Sequence, residues 1–460
     1  MKKNFDLTEG PIVSRLLLVA LPIMGTQLFQ MLYNLIDMFL VARISSDAVA
    51  ATGSAWMFTW FSGAFMVVGS MGAEIGVSQQ LGKKNPTLAR IYSQNAVLIA
   101  GALGLLVGAA MFFFSEPFIR FLQVQEENVI RYASGYLSIL ALGMPLNFIA
   151  MALIGTFNGA GNARFGFLVK SLGLLVNVIL SPLFIFTFSW GIAGAAWATA
   201  LSQSLVGIVL LLAMKFERVR PFEGFAYADM LKSHGQTRRQ IFKWTLPIWL
   251  ESVIFPFFTM FIARFVSSFG ADAIAAQRIG TQIEALSWMV GGGFAAALTS
   301  YVGQNFGAHQ WGRIHRGFKA AFWMMFIYGL AITALLYFGA KTLFLLFIDD
   351  PVIVAIGVDL LRIYAKVQLV ECLGSLGIGA FRGFGKTKPA SWINSTFNIA
   401  RVPLAYLMSQ TDLGLNGIWW AIVICNSLRG LILLVWYGLF IRNAPKKDIV
   451  LPTKQPPQAI

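Results

Sequence analysis

Long apolar runs dominate this sequence and limit what it can fold into. A membrane-spanning α-helix needs about 20 mostly apolar residues, and twelve segments of this kind can be counted along the chain. They lie near residues 13–41, 49–79, 89–114, 131–156, 165–188, 191–215, 241–267, 273–304, 317–346, 352–380, 389–409 and 414–441. Only 12% of the residues are charged, about half the share in a soluble domain. The predicted fold class is therefore an all-α polytopic membrane protein with twelve transmembrane helices.

The loops between these segments alternate in charge. Basic residues fill one set, at 82–90, 161–165, 215–243, 309–316 and 382–388, and acidic residues mark the other, at 45–50, 125–128, 271–276, 348–351 and 410–414. Both ends of the chain belong with the basic set, through Lys2, Lys3, Arg442, Lys446 and Lys447. Basic loops are retained in the cytoplasm, so we expect both termini inside, in an inner (cytoplasmic) membrane. Orientation, and not nucleic-acid binding, explains the net charge of +15.

The first apolar run is not a signal peptide by this pattern. It continues from Ile12 to about Val41 and contains Pro22 and Asp37, whereas a signal peptide has an apolar region of about 7–15 residues. We expect it to be the first spanning helix.

The two halves of the chain repeat each other. Residues 21–82 align with 246–307 without a gap, and 155–161 mirror 379–385. Six spans per repeat let both halves enter the membrane from the same side, which predicts two pseudo-symmetric six-helix bundles with the substrate path between them. The predicted organisation is an amino-terminal lobe at 1–214, a basic cytoplasmic linker at 215–240, a carboxyl-terminal lobe at 241–442 and a cytoplasmic tail at 443–460.

Polar residues within the amino-terminal spans form the first candidate site. Gln30, Tyr33 and Asp37 share one face of the first helix, and charged residues inside a membrane usually serve transport. A carboxylate in an apolar cavity can take up and release protons near neutral pH. Pro22 should kink the same helix. Three further side chains could complete a hydrogen-bonding pocket around Asp37, or could simply join helices: Asn177, Ser181 and Thr199.

The carboxyl-terminal half buries a different set of charges. Glu251, Glu371 and Glu284 lie inside apolar spans and are candidates for transport roles. Arg401 and Arg429 are also deep in their spans, so part of this set could consist of structural ion pairs. Glu74 is expected at the membrane interface instead, because it lies near Lys83.

Several chemical functions are disfavoured by the motifs. The FRGFGKT turn has Ala380 where a phosphate-binding loop needs its first glycine, and it does not follow a strand, which argues against ATP hydrolysis. His309 and His315 lack cysteine or carboxylate neighbours with zinc spacing. Cys372 and Cys425 offer neither a disulfide framework nor a metal cluster. We therefore expect no enzyme activity and no metal or organic cofactor.

Taken together, these motifs resemble bacterial MATE (multidrug and toxic compound extrusion) transporters, and the DinF-like branch in particular. The resemblance rests on the LPI that opens each half, on Asn34 and Asp37, on the turn at 382–388 and on the two six-helix halves. It implies alternating access and export of organic cations or other amphipathic drugs in exchange for protons or sodium.

The same resemblance suggests roles for individual residues. Asp37 matches the amino-lobe carboxylate whose protonation bends the first helix at Pro22, and its polar network is matched by Gln30, Tyr33, Asn177 and Thr199. Glu251 and Glu371 match carboxylates linked to cation coupling in the NorM-like branch. This chain departs from some DinF-like relatives at Ser181, where they carry a second aspartate, so the coupling ion of the amino-lobe site stays open.

The predicted function is multidrug efflux by proton- or sodium-coupled antiport, with drug substrates and membrane lipid as partners and a monomeric chain. Antiport requires ion and drug to bind with negative coupling. A lipid-linked oligosaccharide flippase is the alternative within transport, since Arg401 and Arg429 could serve a pyrophosphate. A polytopic membrane enzyme is a further alternative, and a channel fits the repeats less well than alternating access.

Overall fold

The computed structural model describes residues 6–226, 228–231 and 234–445. Some residues used above lie outside these ranges, namely Lys2, Lys3, Lys446, Lys447, the rest of the predicted tail from 446 onward, and positions 227, 232 and 233 of the predicted linker.

Helices account for almost all of the described chain. The amino-terminal half contains α1 (Ile12–Ala42), α2 (Ser46–Gly82), α3 (Pro86–Phe113), α4 (Ser115–Phe121), α5 (Glu127–Gly159), α6 (Ala163–Pro182) and α7 (Gly191–Ala213). The carboxyl-terminal half contains α8 (Gly235–Ser267), α9 (Ala271–Gly307), α10 (Trp311–Phe338), α11 (Ala340–Leu345), α12 (Pro351–Gly383), α13 (Thr387–Ser409) and α14 (Gly414–Arg442). A π-helical turn, Leu183–Thr187, extends α6, and a short 3₁₀ turn, Ala228–Leu231, lies in the linker.

The twelve long helices confirm the predicted fold class. Ten of them are long and apolar enough to cross a membrane by length and composition, which makes this a multi-pass membrane protein. The other two long helices, α12 and α13, carry buried polar side chains such as Gln368 and Arg401, and these lower their hydropathy.

The structure changes two predicted boundaries. The segment at 317–346 is not one helix, because the chain breaks at Gly339 between α10 and α11. Its counterpart in the first half is the equally short α4. The helix predicted from 241 begins at Gly235, so the last part of the predicted linker is helical.

Local capping explains where several helices begin. The Ser45 side chain accepts a hydrogen bond from the backbone N–H of Ala48 at the start of α2, and Asn85 does the same for Leu88 at the start of α3. At α12, Asp350 accepts from Val352 and Ile353. These short polar side chains satisfy amide groups that a helix cannot pair internally.

Each lobe has its own apolar core, and one helix of each lobe also packs against the other lobe. Leu16, Val19 and Ala20 of α1 belong to the core of the carboxyl-terminal lobe. In return, Ile241 and Trp244 of α8 pack with α2 and α3 in the amino-terminal lobe. This exchange brings the lobes together near the ends that carry the basic loops, which we call the basic end.

A two-fold symmetric set of contacts joins the lobes there, and we call it the seam. The Gln79 side chain donates a hydrogen bond to the Gly383 carbonyl at 2.9 Å, and its repeat counterpart Gln304 donates to the Gly159 carbonyl at 2.9 Å. A Cβ added to Gly82 would overlap the backbone oxygen of Gln304, and one added to Gly307 would overlap that of Gln79. The helices α2 and α9 therefore meet backbone to backbone.

The segment before α1 covers one side of the seam. Leu7 is fully buried, its N–H donates to the Gln304 side chain at 2.9 Å and its carbonyl accepts from Asn305 and Arg313. The start of the described chain thus belongs to the carboxyl-terminal lobe by its contacts.

Candidate functional site

Polar side chains of α1, α6 and α7 form one hydrogen-bonded network in the amino-terminal lobe. The Tyr33 hydroxyl lies 3.1 Å from the Thr199 hydroxyl. Asn177 donates to Thr199 and to Ser202, each at 3.2 Å, and accepts from Ser181 at 2.9 Å. All five side chains are buried, so the structure brings together four predicted residues and adds Ser202.

Asp37 lies one helical turn from Tyr33, on the side away from the basic end. Its side chain is half-buried, and its Oδ1 atom is shielded from solvent without a hydrogen-bond partner. Tyr33 and Tyr136 lie within reach of its charge. A buried carboxylate oxygen without a donor is energetically costly, so this site is suited to bind a proton, a metal cation or an organic cation.

The structure does not bring every predicted residue into this network. Gln30 donates to Asn34 on the same helix at 3.1 Å, so this hydrogen bond lies outside the network. Lys170 of α6 lines a small cavity with Tyr33, Asn177 and Ser202. Sequence reasoning missed Lys170 and Ser202, although both follow from helical spacing: Lys170 precedes Asn177 by two turns and Ser202 follows Thr199 by one.

Glu251 of α8 lies in a polar cluster of the carboxyl-terminal lobe. It accepts a hydrogen bond from Asn394 at 2.7 Å, and the Arg382 guanidinium lies 3.6 Å from the same oxygen. Its second oxygen, Oε2, and the Nε of Arg382 are both buried without partners. Some buried hydrogen-bonding atoms of this cluster therefore have no partner among the described residues.

Glu371 and Glu284 form a second cluster, separate from Glu251 in the contacts that the structure shows. Glu371 is ion-paired with Arg429 at 3.0 Å, which confirms the expectation that part of this set forms ion pairs. Glu284 accepts from Gln368 at 3.4 Å and lies within electrostatic range of Glu371. Buried Arg401 donates to Thr259 at 2.5 Å and not to a carboxylate.

The prediction that Glu74 lies at the membrane interface is wrong. Its side chain is only 1% exposed, because α2 packs against α9 of the other lobe at this level. The Ser300 hydroxyl of α9 donates to Glu74 Oε1 at 2.9 Å. Hydropathy and the nearby Lys83 could not show this contact, since it depends on how the lobes meet.

The structure also places the two cysteines and the other possible metal-ligating side chains. Cys372 and Cys425 are free and buried. Among the described residues, no group of three or more His, Cys, Asp or Glu side chains is placed to hold a metal ion.

Two related six-helix lobes that meet at one end and bury polar side chains in each lobe define a secondary membrane transporter. The MatE family model matches residues 22–183 and 247–407, once in each lobe. The chain therefore belongs to the MATE family, a family of transporters and not of enzymes, as the sequence predicted.

Relatives cover almost the whole chain. The probable multidrug resistance protein NorM of Thermotoga maritima is 27% identical over 439 residues, with 93% of this chain and 92% of that protein aligned. The multidrug export protein MepA of Staphylococcus aureus is 23% identical over 428 residues, with 92% and 93% aligned.

A solved structure confirms the fold. The outward-facing conformation of a multidrug resistance MATE family transporter of the MOP superfamily superimposes with a TM-score of 0.89 at 22% sequence identity. The alignment covers 96% of this chain and 98% of that one.

Proposed function

We propose that this chain exports cationic or amphipathic organic compounds from the bacterial cell by cation-coupled antiport. The observation that carries the proposal is Asp37, a carboxylate with a buried, unpartnered oxygen beside a hydrogen-bonded network. Such a group can be neutralised by a proton or sodium ion, or by a cationic substrate, but not by both at once. The names of the NorM and MepA relatives support multidrug efflux.

The loop charges support an orientation of the chain in the membrane. Basic loops favour the cytoplasm, which would place the basic end and both termini inside the cell. The seam then closes the cytoplasmic side, so this conformation would expose the Asp37 site to the outside. Uptake of a proton or sodium ion by Asp37 would displace a bound organic cation outward.

The return step requires the first helix to move. Helix α1 shares its first turns with the core of the other lobe, and Pro22 interrupts its hydrogen-bond ladder near the point where it leaves that core. A bend at Pro22 would change how Tyr33 and Asp37 face α6 and α7. Tyr33, Asn177, Ser181 and Thr199 would position Asp37, and Gln30 would line its approach.

The carboxyl-terminal clusters are candidates for a second role in coupling. Glu251 retains one unpartnered oxygen, which suits ion binding, whereas Glu371 is already paired with Arg429. Glu284 lies within electrostatic range of Glu371. A change in the ion pair of Glu371 with Arg429 would therefore alter how readily Glu284 binds a proton. We propose that the chain works as a monomer in the inner membrane without a cofactor other than its coupling ion.

The test is ethidium efflux from proteoliposomes under an imposed proton gradient and then under a sodium gradient. Wild-type protein should respond to one gradient. Asp37→Asn should lower the gradient-driven rate at least about a hundredfold, the order expected when a required proton carrier is removed, while the protein stays folded in detergent.

The matched control is Asp412→Asn, which neutralises an exposed aspartate in the loop before α14. This variant should transport ethidium like the wild type. Gradient-driven efflux that survives in Asp37→Asn would contradict the assigned role of Asp37. A wild-type protein that moves no organic cation under either gradient would contradict the proposed function.

A further inference from the structure

Glu74 occupies an unusual position for a carboxylate. It lies in α2 two turns before Gly82, on the side of the helix that meets the other lobe. With 1% exposure it is among the most buried charged side chains of the described chain. Its partner, Ser300, comes from α9 of the carboxyl-terminal lobe, so the hydrogen bond crosses the seam.

The internal repeat does not explain this residue. The seam positions Gln79, Gly82, Gln304 and Gly307 obey the repeat, but the counterpart of Glu74 is Thr299. The Thr299 hydroxyl donates to the Ala295 and Gly379 carbonyls, at 2.9 and 3.1 Å, within its own lobe. One lobe therefore places an ionisable group across the seam where the other places an internal hydrogen bond.

The charged surroundings of Glu74 come from the opposite lobe. Arg382 of α12 interacts electrostatically with Glu74 and lies 3.6 Å from Glu251 of α8. Helix α3 presents Tyr92 against the neighbouring Gly76, and α5 presents only the backbone of Gly159 to that of Glu74. The field of the Arg382 guanidinium favours the charged form of Glu74, whereas the ion-pair contact of this guanidinium is with Glu251.

Two opposing effects act on this carboxyl group. Burial favours its neutral form because an ion loses its hydration, and the Arg382 guanidinium and the Ser300 donor favour its charged form. Both favourable partners belong to the other lobe and would be lost if the lobes separated at the basic end. The charge of Glu74 and the closure of the seam are therefore thermodynamically linked.

We propose that Glu74 is a protonation-controlled residue of the seam. As a carboxylate it holds the two lobes together at the basic end through the charge-assisted hydrogen bond from Ser300, and as a neutral acid it lets them separate. This inference rests on the proposed alternation between two open states and adds a positioning residue to it. Exposure of Glu74 at the basic end would let it release its proton there, after which the ionised group closes the seam again.

The test measures the distance between the lobes directly. Spin labels are attached at Thr87→Cys and Arg316→Cys, which are both exposed near the basic end but lie in different lobes. The distance between the two labels is measured in nanodiscs by pulsed electron paramagnetic resonance. The buried Cys372 and Cys425 are replaced by Ala. In this background the closed population should fall as the pH is lowered.

Glu74→Gln should remove this pH response and resemble the low-pH state at every pH. The ratio of open to closed molecules should rise about tenfold at high pH, the size expected for loss of one charge-assisted contact. Arg382→Gln should weaken the response from the partner side, which keeps the test decisive if Glu74→Gln fails to fold. Asp412→Asn should respond like the background.

The outcomes separate this inference from the proposed function. A Glu74→Gln protein that still opens with falling pH, like the background, would overturn the role of Glu74 even if ethidium efflux is normal. A background protein that opens through Glu74 but moves no ethidium would refute the proposed function and leave the role of Glu74 standing.

Discussion

Apart from Glu74, the two lobes agree where they touch and differ where they bury charge. At the seam, the glutamine and glycine pairs follow the repeat, and each lobe contributes the same contact to the other. Away from the seam, Asp37 corresponds to Ile262, a buried apolar residue, and Glu251 corresponds to Thr26. The repeat is therefore kept in the glutamine and glycine contacts between the lobes and is broken at Asp37 and Glu251.

The difference has a physical reason. A pivot between two lobes is mechanically balanced when both sides have the same close backbone packing, so the repeat is useful there. A buried charge has no such reason to repeat, because each lobe can surround its own carboxylates with different partners. The amino-terminal lobe leaves Asp37 without a counter-ion, whereas the carboxyl-terminal lobe pairs Glu371 with Arg429.

The largest effect on the symmetric contacts of the seam is expected when one methyl group is added to a seam glycine. Gly82→Ala and Gly307→Ala should each prevent full closure, because the new Cβ meets backbone and not a flexible side chain. Alanine favours a helix over glycine by about 1 kcal/mol, so any loss comes from the seam itself. We expect ethidium efflux to fall at least about tenfold in both variants, the effect of roughly 1.4 kcal/mol on the closed state.

The control uses two other glycines of α2, the helix that contains Gly82. Gly53 and Gly63 have open space where a Cβ would lie, so alanine at either position should leave efflux unchanged. Equal losses for Gly82→Ala and Gly307→Ala would support a symmetric pivot. A loss in only one of them would show that the two halves of the seam are not mechanically equivalent.

The ion pair of the carboxyl-terminal lobe provides the next test, on stability. Arg429→Met should leave Glu371 half-buried without its counter-ion and lower the free energy of unfolding by about 1–3 kcal/mol, seen as a lower thermal midpoint in detergent. The double variant with Glu371→Gln should recover part of this loss, as expected for residues in contact. Asp37→Asn should not lower the midpoint, since it removes a charge that has no partner.

An exposed pair supplies the comparison. Arg120 contacts Glu116 and Glu127 at 2.8 and 2.6 Å, but all three side chains are open to solvent and such pairs contribute little. Arg120→Met should therefore leave the midpoint unchanged. An Arg429→Met protein as stable as Arg120→Met would mean that the buried pair does not stabilise this lobe.

The sequence predicted the scaffold better than the site, and particular residues show why. The number of helices can be derived from local hydropathy, and the two lobes from the internal repeat. Both signals, like the charges of the loops, are visible in a single sequence. Tyr33, Asn177 and Thr199 were found because polar residues in apolar helices are few. Glu74 was misplaced because its burial depends on a helix far away in the sequence, and the ion pair of Glu371 could be anticipated only as a possibility.

A smaller difference should separate the two seam glutamines. Among the contacts that the structure shows, Gln79 makes one hydrogen bond across the seam, whereas Gln304 makes one across the seam and also accepts from the Leu7 N–H. Gln79→Ala should weaken closure by about 1 kcal/mol, the net value of one hydrogen bond, and Gln304→Ala by more. The spin-label distance at the basic end measures both. Equal effects would show that the segment before α1 does not contribute to closure.

The smallest effect is expected at Gln30, and it sharpens the boundary of the amino-terminal site. Tyr33→Phe removes the hydrogen bond to Thr199 and should slow efflux about fivefold, in line with roughly 1 kcal/mol. Gln30→Ala should change the rate less than about twofold, because its side chain bonds only to Asn34 among the contacts that the structure shows. Both rates come from the same ethidium assay. If Gln30→Ala slows efflux as much as Tyr33→Phe, then Gln30 contacts the substrate or the coupling ion in another state of the cycle, and the site extends one turn further toward the basic end than this conformation shows.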